Sequence, residues 1–97
     1  MGFKLIVEYE AQLEIEEAIE YYESNKVGLG AEFFNYLDGY FQTLKNGKAT
    51  FELKRKPVFR ELPLKMFPFV IIYEQYKDEI IVYSVFNTDQ DPSKKRK

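Results

Sequence analysis

Eleven of the fourteen basic residues of this chain lie in its second half, and they are the residues best placed to do chemistry. Lys54-Arg55-Lys56, Arg60 and Lys65 can form a cationic surface that meets an anionic partner. With Tyr83 they can also steady a charged phosphate. The plainer reading of the same run is an exposed charged loop. The first 46 residues have the opposite character, with three basic residues against nine acidic ones. Glu16, Glu17, Glu20 and Glu23 read as outward-facing helical acids without a second ligand set for a metal.

Absences narrow the chemistry further. The chain has no histidine and no cysteine. That excludes thiol catalysis, disulfide scaffolds, thiolate zinc sites, Ser-His-Asp hydrolysis and a histidine switch near neutral pH. Gly28-Leu29-Gly30 falls between helical segments and lacks the strand–glycine–helix setting of a phosphate loop. Neither a metal nor a cofactor is expected.

These groups need elements to position them. Ninety-seven residues make one domain, and 45% apolar with 18% aromatic content supplies enough burial for a folded core. Leu5-Ile6-Val7, the longest early apolar stretch, is too short for a signal peptide or a membrane span, so a cytoplasmic protein without membrane contact is expected. Residues 1–92 read as the domain, and Ser93-Lys94-Lys95-Arg96-Lys97 as a basic, disordered tail.

Along the chain, Phe3 to Glu8 alternates as a first strand. Ala11, Ile15, Ala18, Ile19 and Tyr22 then form one stripe of a helix over residues 10–23. No Ser, Thr, Asp or Asn stands at its likely N-cap. Phe33, Leu37, Phe41 and Leu44 form the stripe of a second helix from Leu29 to Lys45, and the short Ser24–Gly28 turn makes the two an antiparallel hairpin. After a loop holding Lys54-Arg55-Lys56-Pro57 come strands over 58–62, 67–76 and 79–86, the last two joined by a charged turn. The order is β-α-α-β-β-β: an α+β domain with a helical hairpin on a mainly antiparallel four-stranded sheet.

The last hairpin is apolar on both faces. A two-residue turn at Lys77-Asp78 sorts Phe69, Ile71, Tyr73, Val82 and Phe86 to one face. Val70, Ile72, Tyr83 and Val85 go to the other. One face suits the helices, and the other needs its own cover, from the chain itself or from a partner.

These segments, taken in order, resemble the RelE/ParE toxin superfamily. The resemblance rests on Ile15-Glu16-Glu17-Ala18, Tyr21-Tyr22, Gly28-Leu29-Gly30-Ala31-Glu32-Phe33, Phe59-Arg60-Glu61-Leu62, Phe67-Pro68-Phe69-Val70-Ile71-Ile72-Tyr73, Ile81 to Phe86 and Asp91-Pro92. It implies the toxin of a type II toxin–antitoxin pair, neutralised by a cognate antitoxin that wraps its sheet and helices. RelE-like members cleave mRNA on the ribosome with a set of basic residues. Aligned on Tyr73, those positions here hold Glu61, Pro63, Val70 and Gln90, and none keeps the charge. Asn87 and Gln90 stand where a His-x-x-Arg motif often follows the last strand. The acidic pI of about 5.2 also suits ribosomal RNA poorly.

ParE-like members are more similar, in the Tyr-Tyr and Gly-Leu-Gly region and in the single arginine of the second strand. Their mode is poisoning DNA gyrase by protein contact, without an active site of their own. The resemblance therefore implies a non-enzymatic toxin. Its target contacts are expected at Arg60, Lys54, Arg55, Asn87 and Gln90. The antitoxin is expected on Val70, Ile72, Tyr83 and Val85, with Glu16 and Glu20 meeting a basic stretch. Without that partner, a homodimer through the same face is expected. Two alternatives stay open: a divergent mRNA endoribonuclease using Lys54, Arg60, Lys65 or Tyr83, and a degenerate member that retains only partner binding.

Overall fold

The computed structural model describes residues 2–46 and 54–89, with the side chains of 54–58 left outside the description. The expected positions Lys54 and Arg55 (as side chains), Gln90 and the 93–97 tail therefore lie outside the described residues. The elements are β1 (Lys4–Val7), α1 (Tyr9–Asn25), α2 (Leu29–Asn46), β2 (Lys54–Pro63), β3 (Phe69–Lys77) and β4 (Glu79–Asn87). The sheet order is β1-β4-β3-β2, with β1 parallel to β4 and the other pairs antiparallel. This is the expected α+β architecture. Among the described residues, no helix is long and apolar enough to cross a membrane.

β2 is longer than the alternation suggests. It includes Lys54-Arg55-Lys56-Pro57, a run expected as a loop, with an irregular register between Lys54 and Val58. Prolines and basic side chains on an edge strand discourage pairing with a neighbouring chain.

α1 begins at Glu8 without a side-chain cap, in keeping with the missing N-cap residue. Its Ala11, Ile15 and Ala18 are buried, and α2 buries Gly30, Phe33, Leu37 and Phe41. Two devices fix the hairpin between them. Gly28 takes φ 90, a left-handed turn open to glycine. The Glu23 carboxylate accepts hydrogen bonds from the backbone N–H of Gly28 and of Gly30, both at 3.0 Å. Glu23 thus caps the second helix from the end of the first, where a free outward acid was expected.

Under the hairpin, Phe33 packs on Tyr22, Phe67 and Phe69 with ring centroids 5.1 to 5.2 Å apart. Tyr36 and Tyr40 pin the turn that delivers Phe67. Their hydroxyls lie 3.0 Å apart, and both accept from the Lys65 N–H. The Tyr36 hydroxyl also accepts from Met66 N–H.

The β3–β4 hairpin turns at Lys77-Asp78 as expected, with Lys77 at φ 55. Its faces do not follow simple alternation. Tyr73 pairs with Val82 and Ile72 pairs with Ser84, so Tyr83 is an extra residue in β4. Such a bulge exchanges the faces of every residue beyond it. Val85, expected on the uncovered face, lies opposite Ile71 and belongs to the core at 1% exposed. Phe86, expected toward the helices, lies opposite Val70 instead. Val70 is itself 4% exposed, so of the four expected antitoxin-facing apolar side chains only Ile72 and Tyr83 remain partly accessible on the open side.

The helix crossing gives the first prediction. A Cβ at Gly30 would stand 2.7 Å from the Ile19 carbonyl oxygen, a backbone atom. Helix propensity alone would make Gly30→Ala stabilising by about 1 kcal/mol. Overpacking at this crossing should reverse the sign and cost about 1–3 kcal/mol, read from urea unfolding midpoints.

Candidate functional site

Two surfaces carry functional groups, and β4 lies between them. The first is a groove where α1 passes the end of β4. β1 pairs with β4 only from Glu79 to Val82. Beyond that point no described strand covers the β4 edge. The Glu14 carboxylate takes that role in part. It accepts from Ser84 Oγ at 2.8 Å and from the Val85 N–H at 2.9 Å. The remaining space is a cleft of about 720 Å³ whose lining includes Glu17, Tyr21, Asn25, Phe86, Asn87 and Asp89. Its polar side chains are acids, amides and two tyrosines, and its apolar walls combine aromatic and aliphatic side chains.

Sequence reasoning missed Glu14, although a signal was there. An acid three residues after Ala11 and four before Ala18 sits inside the buried stripe, where a solvated charge does not belong.

The second surface is the side of the sheet away from the helices. There the Tyr83 hydroxyl donates to Glu74 Oε1, and the Tyr83 ring lies 5.5 Å from the Phe59 ring. Alternation from the Lys77-Asp78 turn places Tyr83 on this side, and the register shift begins only after it. The Tyr83 phenol is pushed up to about 12, first by the hydrogen bond to the Glu74 carboxylate, then by burial and the negative charges of Glu74 and Glu8. Each of these disfavours the phenolate.

Of the candidate catalytic residues, Arg60 and Tyr83 stand on opposite sides of the sheet. Arg60 pairs with Tyr73 across the strands, on the helix side of the sheet. It is exposed; burial pushes the Tyr73 phenol up, and the Arg60 charge draws it only partly back. Tyr83 lies on the opposite side. Lys65 follows the end of β2, and its backbone, not its amine, makes the Tyr36 and Tyr40 contacts. Among the described residues, no group of carboxylates converges as a metal site requires. Glu16 and Glu20 are exposed on α1. Asn87 lines the groove, and its side-chain oxygen accepts from the Asp89 N–H at 2.8 Å.

No protein-family model matches the chain, and no curated protein matches it. A solved structure does: a chromosomal ParDE TA system from P. aeruginosa, at 15% sequence identity and a TM-score of 0.69. The superposition covers 88% of this chain and 95% of that one. The fold is that of the ParDE structure. At this identity the likeness establishes architecture alone.

Two outcomes follow from the geometry. In a spectrophotometric alkaline titration, Tyr83 should ionise late, at about 12, and Tyr83→Phe should remove that step. The stability gained from its neutral form is complete below the ordinary tyrosine value of about 10 and is lost as pH rises through 12. Because Arg60 is exposed, Arg60→Ala should change unfolding stability by no more than about 0.5 kcal/mol in urea. A loss of several kcal/mol would mark it as a structural ion-pair partner.

Proposed function

We propose that this chain is the toxin of a type II toxin–antitoxin pair, ParE-like in action. It harms by binding a target and is silenced by a cognate antitoxin. The fold shared with a ParDE structure over nearly the whole of both chains carries this reading. DNA gyrase is the proposed target, with Arg60 as its exposed contact and Asn87, in the groove, as a second one. Lys54, Arg55 and Gln90 belong to the same proposal. The separation of Arg60 and Tyr83 on opposite sides of the sheet favours binding over a composite nuclease site.

The α1–β4 groove suits the antitoxin. An extended or helical segment with apolar anchors would fill its apolar walls, and basic side chains would meet Glu17 and Asp89. Glu16 and Glu20, on the outer part of α1, extend that acidic strip, while Ile72 and Tyr83 offer contacts to a segment that continues over the sheet. The same surfaces would support a homodimer when the antitoxin is missing.

Expression of the chain alone should arrest growth, and co-expression with the adjacent reading frame should restore it. Purified protein should inhibit gyrase supercoiling and leave mRNA on translating ribosomes intact. Codon-dependent cleavage would overturn the binding mode. For the groove, Glu17→Lys and Tyr21→Ala should each weaken antitoxin binding by about 1–2 kcal/mol, measured by calorimetry. Unchanged affinity in both would place the antitoxin elsewhere.

A further inference from the structure

The side of the sheet away from the helices carries an arrangement that the groove leaves unused. By register, Ile6 of β1, Ile81 of β4, Glu74 of β3 and Phe59 of β2 form one row across the sheet. Glu74 is thus a carboxylate set between apolar neighbours, and it is 6% exposed. The Tyr83 hydroxyl donates to one of its oxygens. A carboxylate offers about four acceptor sites, so this bond, the one side-chain hydrogen bond of Glu74 among the described residues, leaves capacity. Beside it stand the Tyr83 ring and the Phe59 ring, the latter 67% exposed on a strand. Glu8 adds a second negative charge that bears on Tyr83.

Aromatic faces with a carboxylate at their edge attract a cation and repel a phosphate. A guanidinium answers both features, because its plane stacks on rings while its N–H groups donate in a fixed fork to a carboxylate. A lysine ammonium, compact and more strongly hydrated, gains less from the rings. We propose that the open sheet face at Phe59, Tyr83 and Glu74 receives the guanidinium of an arginine carried by an extended basic segment of a partner protein. The charge complementarity of the face selects this occupant. The inference concerns the sheet surface and stands independently of what fills the α1–β4 groove.

NMR of the full chain, with aromatic and backbone signals observed, tests it. The probes are an acetylated, amidated five-residue peptide of alternating alanine and arginine, its lysine and citrulline versions, and a single-stranded RNA oligonucleotide. The arginine peptide should shift the Phe59 and Tyr83 ring signals saturably. The lysine version should bind at least about threefold more weakly, and the citrulline version should leave these signals in place. Glu74→Gln and Phe59→Leu should each weaken the arginine peptide by about fivefold. Phe59 is mostly exposed, so its variant keeps the test valid if Glu74→Gln fails to fold. Glu17→Lys, in the groove, should leave the ring shifts unchanged, which separates this site from the antitoxin groove. Undiminished affinity in Phe59→Leu, shifts confined to α1, or a response to RNA in place of the peptide would overturn the proposal.

Discussion

The extra residue in β4 is the constraint on which the rest of the molecule depends. Because Tyr83 has no partner of its own on β3, the strand regains its ladder one residue late. Val85 then turns into the core opposite Ile71, and Phe86 turns out opposite Val70. Tyr83 keeps the open side that alternation from the turn gives it, and there its hydroxyl reaches Glu74. Past the end of β1, the Val85 N–H meets the Glu14 carboxylate. Without the bulge, Val85 would be lost from the core. One backbone irregularity therefore sets which side chains of the second half of β4 enter the core.

The helical hairpin provides the rigid wall against which the groove is defined. Its closeness comes from the absence of a side chain at Gly30, where the Ile19 carbonyl leaves no room for one. Its turn is held by the Glu23 carboxylate on two backbone N–H groups. Phe33, carried inward by this geometry, meets Phe67 and Phe69 from the β2–β3 connection and the start of β3. The aromatic cluster joins helices to sheet at the end where the groove opens, so the width of the groove follows from core packing.

Among the described residues, both candidate surfaces carry acidic side chains. The groove carries Glu14, Glu17 and Asp89, and the open sheet face carries Glu74 with Glu8 nearby. Both surfaces favour cationic protein segments over phosphates. Arg60, the exposed cation expected to matter, stands on the helix side, away from both.

The order of elements, the two helix stripes, the Lys77-Asp78 turn and the α+β class were legible in the sequence. They depend on local periodicity and turn chemistry, which neighbouring residues express on their own. So were the face assignments of Phe69, Ile71, Tyr73 and Val82, which precede the bulge in the ladder that starts from the turn or lie on the unbulged strand. Those of Val85 and Phe86 were not legible, because a bulge arises from how two strands and a covering helix settle together, and no residue type announces it. Glu14 and Glu23 read as members of an acidic helix surface, yet tertiary structure gave each a specific backbone to bind. The Tyr83–Glu74–Phe59 grouping joins three strands and comes from pairing register. Sequence determined which elements form; only the packed sheet decided which side chains meet across them, since contacts between distant segments are fixed by register and not by composition.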